Sequence, residues 1–91
     1  MIIGLKPISS YLTAFNVFPN PVSSILTIEA AYQADSQGTI EIIDMFGKSV
    51  KKIQWDMQSP IEVNLSQNAG GLYVLKLRND KEVTAFKLIK L

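Results

Sequence analysis

Apolar and polar residues alternate along most of the chain with a period of two. In SILTIEA, Leu26 and Ile28 lie on one side of an extended chain, whereas Thr27 and Glu29 lie on the other. The same alternation continues through GTIEIID, PIEVNL and GLYVLKLRN. Because successive side chains of a strand point to opposite faces, this pattern predicts half-buried strands, each with one face in a core.

Short turn-forming segments separate these runs. Proline, glycine, asparagine, aspartate and serine cluster in PNP, DSQG, FGK, QSP, QNAGG and RNDKE, and these residue types are typical of turns. The sequence therefore predicts seven strands, at 15–18, 24–30, 39–45, 48–54, 60–65, 72–78 and 82–90. Seven short alternating strands favour an all-β antiparallel sandwich, with a small barrel as the alternative.

The length of 91 residues predicts one domain. We expect residues 15–91 to form it, and residues 1–14 to be the remnant of a linker to an upstream domain or an expression-derived segment. The net charge of +1 gives no reason to expect a nucleic acid partner. The charge is nevertheless uneven, since residues 76–91 hold five basic residues and two acidic ones.

The sequence contains neither cysteine nor histidine. This excludes, within the chain, disulfides, thiol catalysis, the common zinc sites and nucleophiles activated by histidine. Acidic residues are the remaining candidates, and no two of them have a spacing that indicates catalysis. We therefore expect no enzyme, no cofactor and no metal, and we expect ADSQG at 34–38 to be a plain turn rather than a calcium loop.

Three other features have a structural and a functional interpretation. Asp44 has the inward parity of Ile40 and Ile42, and we expect it to accept main-chain N–H groups in the following turn. Trp55, with Tyr32 or Tyr73, is a candidate platform for a sugar, although a single tryptophan in a small sandwich more often packs in the core or at its rim.

Gly70 and Gly71 precede a predicted strand rather than a helix, so they do not form a phosphate-binding loop. We expect a turn that requires a positive φ.

The last predicted strand, in TAFKLIKL, ends in apolar residues interleaved with Lys87 and Lys90. From physical chemistry alone, the two lysines indicate an edge strand that is protected from edge-to-edge pairing. The alternative is that a partner reads this end of the chain directly. Exposed strand edges and outward apolar side chains would also allow a homodimer in isolation; the outward residues are Ile25, Ile43, Leu72 and Val74.

Four segments of the chain form an ordered set of short motifs. The first, FNVFPNPVSSILTIEA, contains Phe18, Pro19, Asn20 and Pro21, followed by Leu26, Thr27 and Ile28. The second, IEIIDMFGKSV, contains Ile40, Ile42, Asp44, Met45, Phe46, Gly47 and Lys48. The third, VNLSQNAGGLYVLKL, contains Leu65, Ser66, Gly71, Tyr73 and Leu77. The fourth is the lysine-rich end, formed by Lys87, Leu88, Ile89 and Lys90.

Together the four motifs resemble the C-terminal sorting domains of the type IX (Por) secretion system of Bacteroidota. The resemblance covers residues 15–91, and the chain has NAGG where the family usually has PAG. It implies an immunoglobulin-like antiparallel β-sandwich of about seven strands, in agreement with the strand count. It also implies a function as a removable address on an upstream cargo protein.

The family's behaviour sets further expectations for this chain. The domain would be recognised in the periplasm, and the type IX machinery would then pass the cargo through the outer membrane. A sortase-like surface peptidase would remove the domain by cutting upstream of the sandwich. The cargo would remain at the cell surface or in the extracellular space.

The resemblance also implies a recognition motif; its residues are Pro19, Asn20, Pro21, Gly71, Tyr73, Lys87, Leu88, Ile89 and Lys90. Two modes of recognition are open. The last strand presents an open edge and two cationic side chains for strand addition, or a composite surface is read that includes the Pro-Asn-Pro turn and the 65–73 loop. Two other functions also stay open: a carbohydrate-binding or adhesive accessory sandwich of a secreted enzyme, and a structural accessory domain.

Overall fold

A computed structural model describes residues 15–30, 37–79 and 83–91. It contains seven strands: β1 (Phe15–Phe18), β2 (Ile25–Ala30), β3 (Gly38–Asp44), β4 (Ser49–Trp55), β5 (Ile61–Asn64), β6 (Gly71–Arg78) and β7 (Val83–Lys90). All seven predicted strands are present, with ends within about one residue of the predicted positions. Within the described ranges, no helix is long and apolar enough to cross a membrane. The predicted linker at 1–14, Tyr32 and most of ADSQG lie outside those ranges.

The strands form two antiparallel sheets, with the orders β1-β2-β5 and β4-β3-β6-β7. The second and fifth strands pair in one sheet, while the third pairs with the sixth in the other. This is the pairing of immunoglobulin-like sandwiches. The predicted fold class is therefore confirmed, and the alternative of a small barrel is not.

The core lies between the two sheets and is built from the inward side of each strand. Leu26 and Ile28 on β2 and Ile40 and Ile42 on β3 are fully buried, as the alternation predicts. The other buried apolar side chains are Val22, Trp55, Met57, Val63, Leu65, Tyr73, Leu75, Leu77 and Leu88. Because burying one aliphatic side chain contributes about 1.5–3 kcal/mol, this shared core is the main source of stability.

The turn between β3 and β4 is organised by Asp44. Its Oδ1 accepts hydrogen bonds from the N–H groups of Phe46 and Lys48, both at 2.9 Å. Gly47 then adopts a φ of 85°, a conformation that glycine adopts without steric cost. The predicted structural role of Asp44 is therefore confirmed.

The strand directions place the connections at two opposite ends of the sandwich. One end, called the motif end below, carries segments 19–24, 45–48 and 65–70 together with Leu91. The other, called the entry end, carries the start of β1 at Phe15, the last residues of β2, β4 and β6, and segment 56–60. The chain therefore enters the described sandwich at the end away from the sequence motifs.

Candidate functional site

The four sequence motifs meet at the motif end. The register of β3, β6 and β7 places Asp44, Tyr73 and Leu88 in one cross-strand row. Two residues closer to the end of the sheet, Gly71 lies opposite Lys90. Residues distant in sequence therefore share one small region of the molecule.

The segment that follows the Pro-Asn-Pro motif runs alongside the outer edge of β7. Val22 forms an isolated parallel bridge with Lys90. The N–H of Val22 donates to the carbonyl oxygen of Ile89 at 2.8 Å, and the N–H of Leu91 donates to the carbonyl oxygen of Val22 at 2.8 Å. Because Val22 is also fully buried, this crossing is part of the core as well as of the sheet edge.

The side chain of Asn20 extends the same contact. Its Nδ2 donates to the carbonyl oxygen of Lys87 at 2.8 Å, and its Oδ1 accepts from the N–H of Ile89 at 3.0 Å. The peptide bonds that join Asn20 to Pro21 and Phe18 to Pro19 are both cis. The two hydrogen bonds, rather than the peptide geometry, make the amide of Asn20 an additional main-chain-like partner for β7, across 69 positions of sequence.

These contacts bear on the first of the two recognition modes, in which the last strand presents an open edge: β7 is the edge strand of its sheet, but its second half is covered. From the carbonyl of Lys87 to the N–H of Leu91, the outward main-chain groups already bond to Asn20 or Val22. An added strand needs those donors and acceptors unpaired. Strand addition over this stretch therefore requires displacement of the 20–22 segment.

Lys87 and Lys90 lie on opposite faces of β7. They are three positions apart, and an odd separation in a strand reverses the direction of the side chain. Lys87 is exposed, whereas Lys90 is only 8% exposed and its Nζ donates to the main-chain oxygen of Leu91 at 2.8 Å. The two lysines are therefore not equivalent, and only Lys87 is freely accessible to a partner.

The apolar residues between the lysines divide in the same way. Leu88 is fully buried in the core, while Ile89 points outward and lies opposite Leu72 of β6. The predicted recognition motif thus contains both core and surface side chains.

Tyr73 supports the loop that leads into β6. It is buried, and its hydroxyl donates to the carbonyl oxygen of Ala69 at 2.6 Å. A tyrosine near the start of the sixth strand that bonds back to the preceding corner is the tyrosine corner of immunoglobulin-like folds. The geometry gives Tyr73 an internal role in shaping the 65–73 loop.

The two glycines before Tyr73 have different requirements. Gly71 has a φ of 145°, so the predicted positive φ is confirmed there. At Gly70, an added Cβ would lie 3.3 Å from the carbonyl carbon of Leu91, closer than most Cβ contacts. The 65–70 loop therefore approaches the end of β7 closely, and it is also tied to the first motif by the N–H of Leu65, which donates to Ser24 at 2.7 Å.

The proposed aromatic platform is divided between the two ends. Trp55 lies at the entry end, where it is only 6% exposed, and its Nε1–H donates to the carbonyl oxygen of Ser59 at 2.9 Å. Its ring packs against Phe15, with ring centroids 6.1 Å apart. Tyr73 lies at the motif end, so Trp55 and Tyr73 do not form a joint surface for a sugar.

Sequence reasoning missed Val22 and Leu91 as parts of this region, and it placed Gly70 in a turn without the close approach to Leu91. These contacts have no local signal, because they depend on how the first connection and the 65–70 loop meet the end of the last strand. The arrangement offers hydrogen-bonded main chain and a defined surface rather than reactive groups. Over the described residues, no three acidic side chains are grouped so that they would hold a metal ion.

Comparison with known families adds one finding. The model of the family described as "Secretion system C-terminal sorting domain" matches residues 16–91, which is most of the chain. No match is found among curated proteins.

Proposed function

The chain belongs to the family of secretion system C-terminal sorting domains, and from this premise we propose that the folded motif end is the surface read by the secretion machinery. A type IX sorting domain implies an interaction with the secretion machinery and with a cargo protein. It also implies export to the cell surface or the extracellular space. Sorting domains of this family are in general not enzymes.

The meeting of the four motifs at one end of the sandwich is the observation that carries the proposal. An eight-residue strand is about 26 Å long, so the motif end lies about that far from Phe15, where the chain enters. A cargo attached upstream of β1 would therefore leave the motif end accessible.

The burial of the motif residues favours recognition of the folded domain over recognition of an extended tail. Tyr73, Leu88 and Lys90 are buried and bond or pack internally, so a partner does not reach their side chains. Pro19, Asn20, Pro21, Gly71, Lys87 and Ile89 are exposed. In this proposal, the buried members hold the surface in shape and the exposed members contact the partner.

Removal of the address belongs to the same proposal. After transit through the periplasm and passage across the outer membrane, a sortase-like peptidase would cut upstream of β1. A peptidase needs its substrate chain unpaired, and β1 is paired with β2 from Phe15 to Phe18. Cleavage N-terminal to Phe15 therefore leaves the sandwich intact.

A matched pair of variants on β7 tests which end is read. Ile89 and Val83 both point outward and are 41% and 53% exposed, but Ile89 lies at the motif end and Val83 at the entry end. In a bacterium with a type IX system, a periplasmic reporter fused upstream of this chain is assayed in the medium and in the periplasm. We expect Ile89→Ser to reduce export several-fold and Val83→Ser, at the far end of the same strand, to reduce it much less. Equal export of both variants, or retention of the unmodified fusion in the periplasm, would contradict the proposal.

A further inference from the structure

The outer faces of the two sheets carry opposite charge. On the four-stranded sheet, the outward ionisable side chains are those of Lys52, Lys76, Arg78, Lys87 and Glu41, with a net charge of +3. On the three-stranded sheet they are those of Glu29 and Glu62, with a net charge of −2 across its described strands. The overall charge of +1 hides this separation.

Apolar side chains occupy the motif end of the positive face. Ile43 lies opposite Val74, and Leu72 lies opposite Ile89, so the four form a contiguous group on three adjacent strands. The turn that follows β3 adds an exposed Phe46, of which 89% is accessible. Contiguous exposed apolar residues bordered by charged ones mark interaction sites.

We infer that the outer face of the four-stranded sheet docks an acidic protein surface. That surface would place apolar side chains against Val74 and its neighbours and carboxylates against the lysines and Arg78. An apolar centre with a polar rim is the usual composition of a protein interface. The inference rests on the proposed function, because the partner is taken to be a component of the secretion machinery.

The position of Glu41 on this face indicates a protein partner rather than an anionic lipid surface. Glu41 lies between Lys52 and Lys76 in one cross-strand row. An anionic bilayer would repel this carboxylate, whereas a protein partner places a cation or a donor opposite it. Complementary charge of this kind provides orientation as well as attraction.

The size of the face agrees with a protein partner of ordinary dimensions. Four strands are about 19 Å wide and an eight-residue strand is about 26 Å long, which gives an area of about 500 Å². A standard interface covers about 800 Å² on each partner. The sheet face supplies most of that area, and the turn with Met45 and Phe46 extends it at the motif end.

The test compares two substitutions that differ only in the face they change. Val74 and Ile25 are 40% and 39% exposed, both point outward near the motif end, and they lie on opposite sheets. In the reporter fusion, we expect Val74→Glu to lower export at least tenfold and Ile25→Glu to lower it less than twofold. Urea unfolding of each 91-residue chain checks that both variants fold; if Val74→Glu does not, Lys76→Glu with Arg78→Glu is used on the same face.

Each result decides between the inference and its alternatives. Export of the unmodified fusion together with normal export of Val74→Glu would overturn the docking face and leave the proposed function standing. Retention of the unmodified fusion would contradict both. Binding of the chain to vesicles of phosphatidylcholine and phosphatidylglycerol, or a dimer on size exclusion, would also overturn the inference if Val74→Glu abolished it.

Discussion

The motif end and the entry end of this sandwich are held together by different interactions. At the motif end, main-chain groups of β7 bond to Val22 and to the amide of Asn20, and the hydroxyl of Tyr73 bonds to its own loop. At the entry end, Trp55 packs against Phe15, and buried Met57 lies nearby.

The entry end combines an unusual backbone conformation with a close approach between segments. Met57 has a φ of 62°, and it is buried against Gly38. An added Cβ on Gly38 would lie 2.9 Å from the sulfur of Met57 and 2.8 Å from the carbonyl oxygen of Arg78. Glycine is therefore required there by a close approach, whereas Gly71 at the motif end is favoured by its φ.

The difference teaches that the two ends of one shared core are completed by different kinds of contact. The motif end uses directional bonds, which fix the relative position of distant segments. The entry end uses packing, which contributes more free energy per residue but requires only shape and volume. Substitutions at the two ends should therefore have effects of different size and kind.

The largest effect is expected from Trp55→Ala at the entry end. Removing a buried indole typically lowers the free energy of unfolding by about 3–5 kcal/mol, through lost burial and the cavity left behind. Urea unfolding followed by circular dichroism measures the change. Gln54→Ala, at the exposed neighbouring position, is the control and should change it by less than about 0.5 kcal/mol. A loss below about 1 kcal/mol for Trp55→Ala would show that packing does not hold this end.

A smaller and more local effect is expected from Asn20→Ala. The two lost hydrogen bonds are exposed and water replaces them, so the free energy of unfolding should fall by only about 1 kcal/mol. Hydrogen exchange should show lower protection at the N–H of Ile89 and unchanged protection at Leu77. Asn16→Ala removes one exposed hydrogen bond, to Glu29, and is the matched control for the loss of an asparagine side chain that does not contact β7. If Leu77 lost protection as well, the two ends would not be independent.

The smallest effect is expected from alanine substitutions of Lys87 and Lys90, and it should differ between the two. Lys87→Ala should change the free energy of unfolding by less than about 0.5 kcal/mol, since the side chain is exposed. Lys90→Ala should lower it more than Lys87→Ala does, because the stem of Lys90 is buried. Thermal unfolding of the two single variants measures the difference, and identical melting temperatures would contradict it.

Much of this fold follows directly from the alternation of residue types. A period of two marks both the strand and its inward face, so the burial of Leu26, Ile28 and Ile42 is predictable. The alternation along β7 also predicts that Lys87 and Lys90 point to opposite faces of the sheet. The sequence interpretation nevertheless treated the two lysines as one feature.

Other parts depend on the order of the strands and have no local signal. No periodicity links Asn20 to Lys87, because the contact arises only when the first connection crosses the last strand. The opposite charges of the two faces likewise appear only when β3, β4, β6 and β7 are known to share a sheet.

The bridge between Val22 and Lys90 makes the motif end dependent on folding. Its two halves come from the connection between β1 and β2 and from the end of β7, which belong to different sheets, so they meet only when the two sheets have packed together. An unfolded polypeptide contains the same motifs but lacks the surface they form. A receptor that reads the assembled surface would therefore accept a cargo only after its address has folded, so quality control and targeting become a single step.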